Sequence, residues 1–312
     1  MTRLTLAVGP YERVRALLSG EVRPEGIELA PTTLPADRIL ERMAAGAEFD
    51  VGELSLSDAL RAFAERGSAY VALPVFPYRA FRQSMLWVRA SSELTRLADL
   101  RGKRIGIPGY GVTALLYVRG LLQEEHDIAP SEVTWVRTAP ERLALRVPGV
   151  VIEDVRSDLD TLLGSGAVDA IATFHPPAAA RERPPRARRL VPNVREVEAD
   201  YYRRTGIFPI MHVIGLRASV HESDATIAPR LVAAFELAKR RANDEVTRSF
   251  AAHSLTPWSR YEVEETLALF GDDAFPYGVD PNRPSLEAAC RYARAQLGLD
   301  LPGDVAELFT RT

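Results

Sequence analysis

Through the first seventy residues, short β-like apolar runs alternate with helix-like stretches. Residues 4–8, 27–30, 49–51 and 70–73 read as strands, and 11–18, 36–45 and 55–65 as the helices between them. This alternation predicts βαβ units around a mostly parallel sheet.

A second alternation follows. Residues 84–88 read as a strand, 91–102 as a turn and short helix, 104–107 as a strand, 112–124 as a helix and 133–136 as a strand. A loop with Pro140, Pro148 and Gly149 leads to a helix over 159–163, a strand over 167–173 and the proline-broken basic run RERPPRARR. A short strand over 190–192 and a helix over 196–204 come next. The apolar run 210–216 then brings the chain back, and helical periodicity dominates over 227–250, 260–270 and 284–297. The pattern predicts an α/β protein of two lobes, each a mostly parallel sheet flanked by helices. Residues 1–84 and 213–312 form a discontinuous first lobe with C-terminal helices, and 85–212 an inserted second lobe. Two chain crossings would leave a ligand cleft between the lobes, and ligand sites favour such interfaces and the carboxyl ends of strands.

Composition adds exclusions. The 312 residues are 46% hydrophobic and 26% charged, enough for a full core and too apolar for a disordered chain. Lys and Arg total 39 against 42 Asp and Glu, a net charge of -3, so no global electrostatic attraction favours nucleic acid or an anionic membrane as partner. The single cysteine, Cys290, excludes an internal disulfide and a thiolate-rich metal site, and its helix-face setting reads as a buried structural thiol. No apolar run approaches the roughly 18 residues that span a bilayer. The N-terminus lacks a signal-peptide pattern, so the expected location is cytoplasmic.

Chemistry-bearing residues fall in a few segments. GIPGYGVTA, residues 106–114, lies between a strand and a helix, and Gly109, Gly111 and Ala114 fit a G-x-G-x-x-A fingerprint. The next strand ends in Arg137, Thr138 and Ala139, without the acidic residue a nicotinamide cofactor needs on its ribose. The readings open here are a nucleotide, a carboxylate-like anion held by the helix N–H groups and Thr113, and a plain capped turn. PVFPYRAFRQS, residues 74–84, sets Arg79 and Arg82 among aromatics beside the first presumed crossing, where arginine can clamp a carboxylate or pack on a ring. FDVGELSLSD brings Asp50 and Glu53 close to a helix start, as a cleft acid or base or as N-terminal helix charges. Among five histidines, His126, His221 and His253 read as exposed or capping. His212 lies where the chain re-crosses, and His175 follows a strand end. Neither HExxH, GxSxG, a Cys–His signature nor a P-loop lysine occurs, so zinc hydrolysis, covalent catalysis and NTP hydrolysis lack their motifs. RERPPRARR has no interleaved aromatics for base stacking and reads as a solvated loop.

Several segments together are more specific than any alone. YERVRALLSGEVRPEGIEL (residues 11–29), FDVGELSLSD, PVFPYRAFRQS, TGIFPIMH (205–212) and FPYGVDPNRPSLEAACRYARAQLGL (275–299) closely resemble the 4,5-dihydroxyphthalate decarboxylase family. TGIFPIMH and the YGxxxNR pattern of Tyr277, Gly278, Asn282 and Arg283 carry the specificity. The likeness covers nearly the whole chain and is weakest over 140–185. It implies a type II periplasmic-binding-protein-like fold and a carboxy-lyase that needs no cofactor.

Decarboxylating a dihydroxy diacid requires a carboxylate clamp, a base or acceptor for a phenol, and a proton donor at the ring carbon. The resemblance then implies His212 as proton donor, since imidazole titrates near neutrality. It implies Glu53 on a phenolic hydroxyl and Arg82, with Arg79, on a carboxylate. The helix start at Tyr110, Gly111 and Thr113 would take a second anion. Tyr11, Ser84, His175, Phe208 and Tyr277 complete the expected substrate contacts. The expected partner is a small aromatic carboxylate; a single metal ion and homo-oligomerisation stay open. Two alternatives share the scaffold: a solute-binding protein for such an acid, and another carboxylate-processing enzyme, such as those of menaquinone precursor synthesis. All site expectations require the segments around 53, 82, 113 and 212 to converge.

Overall fold

The computed structural model describes residues 2–46, 48–143, 145, 147–249 and 256–310; His253 lies outside them. The chain divides into two compact units, residues 1–79, 210–286 and 302–312, and residues 80–209 and 287–301. The boundaries expected at 84/85 and 212/213 thus move to 79/80 and 209/210, and four crossings replace two.

The first unit opens with β1 (Thr2–Ala7), a 3₁₀ turn at Glu12–Val14 and the single-turn α1 (Arg15–Leu18). The helix expected over 11–18 is shorter because Tyr11 stays extended, with φ -78° and ψ 145°. Next come β2 (Ile27–Thr32), α2 (Ala36–Ala45), β3 (Val51–Ser55), α3 (Leu56–Ala64) and β4 (Tyr70–Arg79).

In the second unit the order is β5 (Leu86–Arg89), β6 (Arg104–Ile107), α4 (Thr113–His126), β7 (Thr134–Arg137), β8 (Val151–Asp154), α5 (Leu159–Ser165), β9 (Ala170–Ala172), β10 (Ala187–Arg189) and α6 (Val194–Thr205). Afterwards come β11 (Ile210–Arg217), α7 (Ala218–Ser223), α8 (Ile227–Ser249), α9 (Ser259–Phe270) and α10 (Arg283–Leu297).

The first unit's sheet has the order β2-β1-β3-β11-β4. β1 runs parallel to β2 and β3, whereas β11 is antiparallel to β3 and β4. Its core gathers Leu4, Leu6, Val51, Leu73, Ile214 and Leu216 from the strands and Leu231, Phe235 and Ala238 from α8. The β11–β4 pairing slips on both sides of His212, which faces Ser55 on β3 and Tyr78 on β4. Pro74 and Pro77 lie in this irregular stretch of β4 and cannot donate to a ladder. Such bulges re-aim side chains.

The second unit's sheet has the order β10-β5-β9-β6-β7-β8, with β5 antiparallel to β9 and β10 and the β9-β6-β7-β8 pairs parallel. Two strand expectations need correction. β8 was read as part of a loop, because Glu153 and Asp154 hide it; they bond across the strands to Arg104 and Arg137 at the sheet edge. The strand expected over 190–192 is β10, inside the basic run. There Arg188 donates to the carbonyls of Ser92 and Leu94 and Arg189 to that of Ser84, so the end of the run is an edge strand rather than a solvated loop.

Residues 113–122 of α4 are all buried. Arg119, wholly enclosed, donates to Gln296 and to the Tyr110 carbonyl and lies 3.6 Å from the Tyr110 ring centre. Burial lowers its pKa to about 10. Gln296 explains why residues 287–301 join this unit: α10 supplies the partner a buried guanidinium requires. Tyr292 packs onto the same helix at Gly120, where an added Cβ would stand 2.5 Å from its ring.

Gly120→Ala sets two effects against each other. Helix propensity favours alanine by roughly 1 kcal/mol, whereas overpacking costs about 1–3 kcal/mol. Tyr292 is held by a 2.6 Å bond to Glu124 and an edge-on contact with Tyr117, so overpacking should prevail. Thermal melts of Gly120→Ala are expected to fall by a few degrees; an unchanged or higher midpoint would show that Tyr292 yields.

Candidate active site

The antiparallel pairing of β3 with β11 sets Glu53 opposite Ile214 and His212 opposite Ser55, so Glu53 and His212 are diagonal neighbours on one face. The Glu53 carboxylate has no exposure. One oxygen, Oε2, accepts from the Gly9 N–H at 2.8 Å. The other, Oε1, accepts from the Tyr11 hydroxyl at 2.7 Å and bonds Nδ1 of His212. Burial alone would push the Glu53 carboxyl up, but His212 and the bonds from Tyr11 and Gly9 outweigh it, and the net direction is down. The Tyr11 phenol is pushed up by its own burial and by the charge of Glu53, so it remains a donor.

With Nδ1 committed to a carboxylate, Nε2 is the ring nitrogen left to exchange a proton with a ligand. Tyr78 stands beside it, its ring 5.1 Å from His212 and stacked at 5.8 Å on Tyr11. Gly9 makes this packing fit, since a Cβ there would come within 2.8 Å of the Tyr11 ring.

Other expected residues occupy different roles. The Arg79 guanidinium bonds Asn282 at 2.5 Å and Ser285 at 3.3 Å, tying β4 to the start of α10, so its expected carboxylate contact gives way to a structural one. Asn282 also donates to the Pro276 and Gly278 carbonyls, which gives the YGxxxNR pattern a folding role. Tyr277 is buried in the core cluster, with a hydroxyl that bonds nothing among the described residues. Asp50 accepts from Thr5 and pairs with Arg217.

Within the second unit, Arg82 is buried, with Nη1 3.8 Å from the Met85 sulfur. The Ser84 N–H donates to Glu198, whose carboxyl burial pushes up. Phe208 packs on Phe81 with ring centres 4.7 Å apart. Tyr110 has no exposure, and Thr113 is buried. The N–H groups of Tyr110 and Gly111, expected to take a ligand anion, instead hold the Glu141 carboxylate at 2.6 and 3.0 Å, and Glu141 also bonds Arg137. His175 is exposed in the segment after β9, next to the exposed Phe174. His126 ends α4 and His221 lies on α7, both half-buried.

Of the residues singled out in the sequence, the fold brings Tyr11, Glu53 and His212 together; Gly9, Tyr78 and Glu141 were not singled out. Tyr78 immediately precedes the first of the two arginines that drew attention, and Gly9 immediately follows the residues read as the first strand. Among the described residues no group of three His, Cys, Asp or Glu side chains is placed to hold a metal ion, and no helix is long and apolar enough to cross a membrane.

Because the folded Glu53 carboxyl titrates below its ordinary value, near 4.3, its stabilisation is complete above that pH and is lost as pH falls through the folded value. Glu53→Gln should destabilise the protein at pH 7 by about 1–3 kcal/mol, the scale of hydrogen bonds to a charged group. The gap between the two melting curves should narrow from pH 5 to pH 3; a gap that holds or widens in acid would show that Glu53 is not an anion in the folded protein.

No family model matches the chain. It is 33% identical over 289 residues to a 4,5-dihydroxyphthalate decarboxylase of Comamonas testosteroni, covering 90% of this chain and 88% of that one. It is 36% identical over 209 residues to a 4,5-dihydroxyphthalate decarboxylase of Pseudomonas putida, covering 64% and 81%. Among solved structures it resembles the alkanesulfonate-binding protein SsuA of Xanthomonas axonopodis pv. citri, with TM-score 0.55, 17% identity and coverage of 100% and 99%. It also resembles the periplasmic aliphatic sulphonate binding protein SsuA of Escherichia coli, with TM-score 0.51, 15% identity and coverage of 99% and 84%. The fold is that of the periplasmic binding proteins. On the likeness to both decarboxylases, the chain belongs to the 4,5-dihydroxyphthalate decarboxylase family.

Proposed function

We propose that this protein decarboxylates a hydroxylated aromatic acid of the 4,5-dihydroxyphthalate type, with His212 supplying the proton that replaces the lost carboxylate. The observation that carries the reading is the Nδ1 bond from His212 to a fully buried Glu53, which leaves Nε2 to face the substrate. Glu53 was expected on a phenolic hydroxyl. Its oxygens are taken by Gly9, Tyr11 and His212, so we assign it instead to orienting the imidazole.

The chemistry suits such a pair. In 4,5-dihydroxyphthalate each carboxylate is para to a hydroxyl. Once that hydroxyl loses its proton, the phenolate pushes an electron pair onto the carboxylate-bearing ring carbon. Nε2–H of protonated His212 delivers its proton to that carbon, giving a cyclohexadienone. The bond to the carboxylate then breaks, carbon dioxide leaves, and the electron pair restores the aromatic ring and the phenolate. The phenolate takes back from solvent the proton its hydroxyl gave up, so the products are carbon dioxide and 3,4-dihydroxybenzoate, and His212 also regains its proton from solvent. The phenolate supplies the electrons, so no organic electron sink is required.

Incubating the purified protein with 4,5-dihydroxyphthalate should release carbon dioxide and 3,4-dihydroxybenzoate in equal amounts. His212→Asn should lower kcat roughly 10²–10⁴-fold while substrate still raises its melting temperature. Ligand-induced stabilisation of the wild type without carbon dioxide would overturn the reading in favour of a solute-binding protein, and full turnover by His212→Asn would remove His212 from the step.

A further inference from the structure

Arg13 is a half-buried cation beside this site that forms no ion pair among the described residues. It follows Tyr11 by two residues, inside the 3₁₀ turn. Its Nε donates to the Pro77 carbonyl at 2.7 Å, which fixes the plane of the guanidinium. One side of the group lies 4.0 Å from the Phe275 ring centre and another 5.1 Å from that of Tyr11. Among the described residues no carboxylate pairs with it and neither Nη donates a hydrogen bond. Its neighbours in the same unit differ: Arg79 is tied to Asn282, Arg217 to Asp50 and Arg230 to Asp224.

We propose that Arg13 is the specificity-determining residue that holds the substrate carboxylate retained in the product. This rests on the decarboxylase reading above. A guanidinium fixed at Nε by a carbonyl and flanked by rings presents its two Nη groups as a planar fork matched to a carboxylate. Burial already disfavours its charge, and a bound anion would compensate that cost. Tyr11 relates the two functions. Its ring lies against Arg13, and its hydroxyl is bonded to the same Glu53 oxygen that holds His212. A benzene ring with two adjacent carboxylates could therefore place one on Arg13 and present the other to His212.

Which carboxylate is held follows from the reaction. The departing group loses its negative charge as carbon dioxide forms, so an arginine on it would stabilise the ground state more than the transition state. On the retained group the same contact strengthens binding without slowing the chemistry.

Calorimetry with unreactive phthalate and benzoate tests this apart from turnover. Wild type should bind phthalate well above benzoate. Arg13→Gln should weaken phthalate roughly 10²-fold, down to the level of benzoate, while His212→Asn keeps the preference. In turnover assays Arg13→Gln should raise KM for the diacid by a similar factor with kcat changed far less. Arg13→Lys, which keeps the charge but not the fork, should fall between and carries the test if Arg13→Gln does not fold. Equal wild-type affinity for phthalate and benzoate, or wild-type phthalate binding by a folded Arg13 variant, would overturn the assignment even if decarboxylation is confirmed. Arg13-dependent phthalate binding without any carbon dioxide from the hydroxylated diacid would uphold the anion site and reject the decarboxylase.

Discussion

A carboxylate with no exposure has to find its compensation where it lies, and Glu53 draws it from segments far apart in sequence. Gly9 and Tyr11 leave the end of β1, and His212 sits on β11; the sheet order sets β1 and β11 on opposite sides of β3. Left bare, a buried carboxylate would cost several kcal/mol or take up a proton. With three donors it stays an anion, and the donors are in turn fixed by it. A one-residue slip of β3 would turn Glu53 to the opposite face of the sheet and leave all three donors without it. The strand register and the chemistry of the site are therefore one constraint.

The same constraint explains where regular structure gives way. β11 and β4 lose their simple register on either side of His212, and prolines occupy the irregular part of β4. In exchange Tyr78 reaches a position against both His212 and Tyr11. At Gly9 the absence of a side chain lets Tyr11 fold back over the strand exit and reach Glu53. Local rules for strands are broken around one carboxylate and kept in β1 and β2, whose pairing is continuous from Thr2 to Ala7. Departures of this kind concentrate at functional sites.

Much of this fold was legible because its signals are local. α2, expected over 36–45, and β6, expected over 104–107, have the bounds their apolar patterns gave. β8 was not legible, since an edge strand that pairs its charges across the sheet shows no apolar pattern. Nor was the membership of α10: Gln296 and Tyr292 look like ordinary helix residues until Arg119 and Gly120 lie against them. At the site, residue type singled out His212 and Glu53, but only the fold shows that Glu53 faces a histidine instead of a ligand. The glycine segment illustrates the same limit. It does bind a carboxylate through its N–H groups, as its sequence suggests, but the carboxylate belongs to Glu141.

Arginine makes the distinction sharpest, because this chain is rich in it and sequence context weighs every guanidinium alike. Arg79 stood out in the sequence for its aromatic neighbours, yet its donors are spent on Asn282 and Ser285. Arg119 is more deeply buried than Arg79; Gln296 and a carbonyl receive two of its nitrogens and an aromatic ring covers its face, while Nη2 bonds nothing among the described residues. Arg13 drew no attention, but its two Nη groups meet no acceptor among the described residues, in a partly desolvated setting. Burial of a cation is costly whichever residue carries it. Where the fold supplies acceptors most of the cost is met internally; at Arg13, half-buried and without a fold-supplied acceptor for either Nη among the described residues, it falls to water or an external anion. The useful signal for a carboxylate site is thus a partly buried cation that a ligand can still reach and that the fold leaves unpaired, which no sequence pattern records, because it depends on which acceptors the folded chain fails to bring.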